Sequence, residues 1–195
     1  LDRPMMARYP PGSTFKLVNA LIFQQEGIVT HDTRYGCSMG FHAGSLKVGC
    51  HKHEAPLNLP QSIQHSCNAY YCSGLRAMLE NKKYGSVANA FDVWKNHIIS
   101  FGFGYKLGVD FPTENRGYIP NVDVYNKMYG KGRWRSLTII SISIGQGEIL
   151  STPIQTANLA AIIANRGYWY RPHIVKNIEG VPIDTTYTER KYTTV

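Results

Sequence analysis

The sequence predicts a mainly α chain with short β-hairpins, and three observations carry that expectation. Apolar residues recur at helical spacing in long stretches opening at Ser13, Ser86 and Thr152. Strand-like runs are confined to short pieces between them. The 18 Gly and 10 Pro break the remainder into turns, because these residues punctuate regular structure.

Taken in order, the first helix runs from about Ser13 to Glu26, with Leu17, Val18, Leu21 and Ile22 on its apolar face and Gly27 as its stop. Residues 28–56 read as irregular chain with a hairpin, its extended pieces near Thr33–Cys37 and Leu46–Cys50. A short helix covers Leu57–Gln64, with Pro60 tolerated in its first turn. The chain breaks near Ser66-Cys67-Asn68, and a longer helix continues through Tyr71, Leu75 and Leu79. Ser86–Phe101 forms another, with Ala90, Phe91, Trp94 and Ile98 at helical spacing. Leu107–Val124 reads as loop, and the β-branched run Leu137–Ile144 as an extended segment. Gly145-Gln146-Gly147 makes a tight turn. Thr152-Pro153-Ile154-Gln155 then opens a helix to Ala164: Thr152 caps, Pro153 fits the first position and Gln155 completes a capping box. Tyr168–Ile178 reads as a strand, turned at Glu179-Gly180.

With 43% hydrophobic and 17% charged residues the composition is globular. The net charge of +8 favours anionic partners, but the basic residues are scattered and no nucleic-acid-binding module accompanies them, so no nucleic-acid partner is expected. No apolar run reaches bilayer length. Cys67 and Cys72 read as small buried residues. Cys37 and Cys50 flank a Gly-rich stretch and fit three states: a disulfide, free thiols, or, with His51, His53 and His42 nearby, a structural zinc site.

The chemistry centres on Pro11-Gly12-Ser13-Thr14-Phe15-Lys16. A turn delivers Ser13 to a helix start, and Lys16 follows one turn later on the same side. The first N–H groups of a helix lack internal partners, so a nucleophile, a base and a free donor converge as an acyl-transfer site requires. A Ser-x-x-Lys pair alone is common. Ser66-Cys67-Asn68 adds the second of three marks shared by serine acyl-enzymes: S-x-x-K, S-x-N and Lys-Ser/Thr-Gly.

These motifs, together with Phe101-Gly102-Phe103-Gly104, Ile144-Gly145-Gln146-Gly147-Glu148, Thr152-Pro153-Ile154-Gln155 and Ala164-Asn165-Arg166-Gly167, resemble the transpeptidase domain of class B penicillin-binding proteins, most closely the elongation type. The resemblance runs in order over nearly the whole chain. It implies a peptidoglycan D,D-transpeptidase acting on D-alanyl-D-alanine stem peptides and trapped by β-lactams. Ser13 is then the nucleophile, Lys16 its base, Ser66 a proton relay and Asn68 a holder of substrate and lysine. It also implies an extracytoplasmic site at the cytoplasmic membrane, beside a glycan polymerase and elongation-complex proteins.

One mark is missing. Lys83-Tyr84-Gly85 and Lys106-Leu107-Gly108 have the wrong middle residue, so no Lys-Ser/Thr-Gly stands in the sequence. The expectation is a partial domain over 1–195, the helical part of the α+β fold shared with serine β-lactamases. Most of the central sheet would be absent and the isolated chain inactive or nearly so. The alternatives are a wall-binding or penicillin-sensing module without catalysis, and a β-lactamase-like hydrolase.

Overall fold

The computed structural model describes residues 2–195, and the mainly helical expectation holds. Among them the regular elements are seven α-helices and two antiparallel two-stranded sheets, joined by 3-10 segments and loops. Helix α1 (Arg3–Met6) is a single turn whose N-cap, Asp2, accepts the Met5 N–H. A 3-10 turn, Gly12–Thr14, leads into α2 (Phe15–Gln25), and Gly27 at φ +64° ends it.

Strands β1 (Gly40–Ala43) and β2 (Leu46–Gly49) form the hairpin, with Phe41 opposite Val48. The first extended piece was expected at Thr33–Cys37, where only Tyr35 bridges, to Leu57. Backbone proximity sets this register: a Cβ at Gly40 would stand 2.4 Å from the Val48 carbonyl oxygen, a site only glycine can fill. Helix α3 (Leu59–Gln64) starts two residues later than expected because Asn58 forms a capping box with Gln61. Helices α4 (Asn68–Leu79) and α5 (Val87–Ser100, capped by Ser86) follow.

Two expectations fail in the next stretch. Helix α6 (Val122–Tyr129) takes in the last three residues of the expected loop and continues over residues for which no element was expected; Asn121 caps it by accepting the Val124 N–H. Tyr125 is its buried residue, and Val122 packs against the core beside it at helical spacing. Ser136–Ile144 is 3-10 helix with a kink at Ile139, not extended chain. Burial of Ile139, Ile140 and Ile142 against α4 and α2 overrides the β preference of these residues. Helix α7 (Pro153–Ala164) has the expected capping box. Strand β3 is only Tyr168–Trp169, paired with β4 (Lys191–Tyr192). The expected extension to Ile178 stops because the Asp110 carboxylate takes the N–H groups of Ile174 and Val175.

Helix α2 sits at the centre, packed by α4, α5 and the 3-10 segment. Phe15 is fully buried, with ring centroids 6.2 Å from Trp94 and 5.4 Å from Phe103. Burying each such ring contributes about 1.5–3 kcal/mol. Phe91, Tyr125 and Trp134 make a second aromatic group that seats α6. Among the described residues no helix is long and apolar enough to cross a membrane.

Candidate active site

Ser13 lies in the 3-10 turn at the mouth of α2 and is exposed, whereas Lys16, the second residue of α2, is 3% exposed. The Lys16 ammonium position is defined by three contacts from one loop fifty residues away. It donates to the Ser66 carbonyl at 2.6 Å, to Ser66 Oγ at 2.9 Å and to Asn68 Oδ1 at 2.6 Å. The sequence-predicted residues Lys16, Ser66 and Asn68 are thus in direct contact, and Ser13 opens on the same end of the helix.

Ser66 can offer two oxygens to one amine because its backbone is left-handed, at φ +47°. A non-glycine residue there costs on the order of 1–3 kcal/mol and persists only where its surroundings hold it. They do: Asn68, the first residue of α4, donates Nδ2 to the Gly49 carbonyl at 2.7 Å, and its N–H points to Cys50 Sγ at 3.4 Å. The β-hairpin therefore clamps the S-x-N loop from outside while Lys16 holds it from within.

Burial pushes the Lys16 amine below its usual pKa; nearby Cys50, Cys67 and Cys72 act in the opposite direction. A neutral amine has two donors and one lone pair. The Ser66 carbonyl and Asn68 Oδ1 can take the two donors, which leaves the lone pair for a hydroxyl proton.

All four cysteines are free thiols, so the Cys37–Cys50 disulfide does not form. Instead Cys37, Cys50, Cys67 and His53 present ligand atoms all within 4.8 Å of one another. His53 Nε2 lies 3.4 Å from Cys50 Sγ. Two anticipated histidines fall outside the cluster: His51 bonds the His65 carbonyl and His42 the Ser38 carbonyl. The fourth ligand position belongs to Cys67, which a reading of buried hydrophobes assigned to packing. Its place between Ser66 and Asn68 gave no signal that the hairpin folds back over it. Burial alone would raise the Cys50 thiol, but the Asn68 N–H and His53 outweigh it and bring it below the usual value; burial pushes Cys67 up to about 12. Three sulfurs this close cannot all ionise without a cation between them, and the Cys₃His set is one that zinc takes in structural sites.

Asn19 was also missed. It is fully buried on α2, accepts the Trp94 indole N–H at 2.8 Å and donates to the Ser143 carbonyl at 2.8 Å. The signal was present: a lone amide within the apolar run Leu17–Ile22.

Comparison with known proteins adds to this geometry. The family model described as the penicillin binding protein transpeptidase domain matches residues 1–194. The peptidoglycan D,D-transpeptidase MrdA of Acinetobacter baumannii is 32% identical over 192 residues, covering 92% of this chain and 26% of the relative. The chain thus spans about a quarter of the length of the curated relatives it matches. Among solved structures, Pseudomonas aeruginosa PBP2 in complex with WCK 5153 superposes with a TM-score of 0.81 at 27% identity, over 100% of this chain and 42% of that one. PBP2 of Helicobacter pylori, in its complex with MreC, gives 0.74 at 28% identity, over 93% and 32% respectively.

Proposed function

The chain belongs to the penicillin-binding protein transpeptidase family, and from that premise we propose that it carries the serine acyl-transfer centre of a peptidoglycan D,D-transpeptidase. The observation that carries this reading is the convergence of Ser66 and Asn68 on the buried Lys16 amine, one turn from Ser13.

In this reading neutral Lys16 takes the Ser13 hydroxyl proton as Oγ attacks the carbonyl of the penultimate D-alanine. The tetrahedral oxyanion faces the Ser13 N–H at the positive end of α2. When the C–N bond breaks, the proton passes from Lys16 by way of Ser66 to the departing D-alanine amine. The acyl-Ser13 ester is then attacked by an amine of a neighbouring stem peptide, which forms the cross-link and releases Ser13. Asn68 holds a substrate amide and keeps Lys16 aligned. A β-lactam acylates the same oxygen. We place this chemistry on the outer face of the cytoplasmic membrane, with an MreC-like protein and a glycan polymerase as partners.

A single zinc ion held by Cys37, Cys50, Cys67 and His53 belongs to the same proposal. When bound, it ties three thiolates together as a structural centre. Because Cys67 sits between Ser66 and Asn68, those ligands fix both catalytic neighbours of Lys16.

The test is acylation by a fluorescent penicillin, followed by intact mass and peptide mapping on the natural gene product carrying this sequence. The adduct is expected on Ser13, lost in Ser13→Ala, and slowed by about 10²–10⁴-fold in Lys16→Ala, the range of a general base. Its rate should climb with pH as Lys16 sheds its proton. An adduct on a cysteine, or none, sinks the reading. The 195 residues alone contain no Lys-Ser/Thr-Gly, and are expected to label far below one equivalent. Retention on peptidoglycan without acylation in the natural gene product would favour a wall-binding module instead.

A further inference from the structure

We infer that Gly145 is a positioning residue for the nucleophile: its carbonyl and its missing side chain together fix the turn that presents Ser13. This rests on the acyl-transfer reading above and adds a residue to it.

The Gly12 N–H donates to the Gly145 carbonyl at 2.8 Å. The approach is so close that a Cβ at Gly145 would meet the Gly12 oxygen at 2.1 Å and its nitrogen at 2.7 Å. Both are backbone atoms, so no side-chain rotation relieves the clash. Gly145 also sits at φ +72°, the left-handed cap that ends the 3-10 segment. Gly12 itself is left-handed at φ +61° and is followed directly by Ser13. The Gly12 N–H belongs to the Pro11–Gly12 peptide, so the hydrogen bond holds the chain on one side of Gly12, while the Gly12 oxygen that packs against Gly145 belongs to the peptide leading into Ser13.

The brace is anchored at a second point. Two residues earlier, the Ser143 carbonyl accepts from Asn19, which the Trp94 indole holds in place. The Ser143–Gly145 strip is therefore tied to α2 through Asn19 and to the nucleophile turn through Gly12. Lys16 is held by a different loop. The fold thus positions nucleophile and base through two independent supports, and a change at Gly145 moves one without the other.

Gly147 supplies an internal control. It lies in the same turn with a similar φ of +74°, yet a Cβ there would meet only ordinary contacts, 3.4 Å or more, with Ser141 and Ile142. Ala at either position pays the same conformational strain, but only Gly145→Ala displaces Gly12.

The experiment compares Gly145→Ala, Gly147→Ala and Asn19→Ala in the natural gene product. It measures hydrogen exchange at the Gly12 amide, melting temperature, and penicillin acylation separated into initial affinity and acylation rate constant. Gly145→Ala is expected to expose the Gly12 amide and to slow the acylation step about a hundredfold, the effect of an ångström-scale misplacement, with affinity changed less than threefold. Gly147→Ala keeps Gly12 protected and acylates within a fewfold of the parent at a similar melting temperature. Asn19→Ala, which adds no bulk, raises Gly12 exchange and slows acylation about tenfold, so it decides the matter if Gly145→Ala fails to fold. Equal acylation losses in the two glycine variants, or a protected Gly12 amide in Gly145→Ala, overturn the inference. If the parent itself is not acylated, the proposed function fails, while Gly12 exchange still decides whether the brace exists.

Discussion

At the scale of single residues, close approach matters more than chemistry. Gly74 on α4 lies flat against Phe23: a Cβ there would stand 2.5 Å from the ring. Ala has the better helix propensity by about 1 kcal/mol, but overpacking a core costs about 1–3 kcal/mol. Gly74→Ala is therefore expected to lower stability in a urea titration, and an unchanged or raised midpoint would show that Phe23 can yield. Ser66 illustrates the converse. Its left-handed backbone is an expense that the Lys16, Asn68 and Gly49 contacts sustain. The sequence singled out Ser13, Lys16, Ser66 and Asn68 because a spaced motif is a statement about types and intervals, and the structure brings Lys16, Ser66 and Asn68 into contact. It could not identify Gly145 or Asn19, whose roles depend on which distant backbone lies beside them.

At the scale of elements, α2 is fixed at both ends. Ser13 and Lys16 occupy its start; at its far end Glu26 meets three partners from other elements. Lys83 donates at 2.9 Å, His97 Nε2 lies at 2.8 Å, and the Tyr84 hydroxyl donates to the same carboxylate. Burial alone would raise the Glu26 carboxyl, but these bonds outweigh it and hold it down to about 2. The unfolded chain takes up this proton near 4.5 and the folded one only near 2. Glu26 therefore stabilises fully above 4.5, and that contribution is lost as the pH falls from 4.5 toward 2. In chemical denaturation across that window, Glu26→Gln should remove part of the acid dependence while lowering stability at pH 7; an acid limb identical to the parent's would refute the assignment. Helix α7 was legible because Thr152, Pro153 and Gln155 act within three residues, and α2 and α5 because their apolar residues recur at helical spacing; a cap alone was not enough, since α6 carries one at Asn121 and was not expected. The 3-10 segment Ser136–Ile144 was not legible, because its isoleucines obey burial by α4 rather than their own preference.

At the scale of the whole molecule, the thiol cluster joins three regions: the approach to the hairpin at Cys37, its exit at Cys50 and His53, and the S-x-N loop at Cys67. The chain as purified from zinc-containing medium is expected to hold about one zinc per molecule. Stripping it with a chelator should lower the melting temperature and raise hydrogen exchange in residues 37–67 more than in α7. Metal analysis at well below one equivalent, or uniform exchange changes, would remove zinc from the account.

The sequence by itself determined helices α2, α5 and α7, the interruption of the chain at Ser66–Asn68, and the spaced pattern of Ser13, Lys16, Ser66 and Asn68. Each follows from interactions a few residues long or from a motif read in order. Only the tertiary structure decided that Cys67 rather than His51 completes the thiol cluster, that Leu137–Ile144 coils, and that Gly145 closes on Gly12. Those outcomes depend on backbones brought together across 14 to 133 positions of sequence, and no local preference encodes which of them will meet.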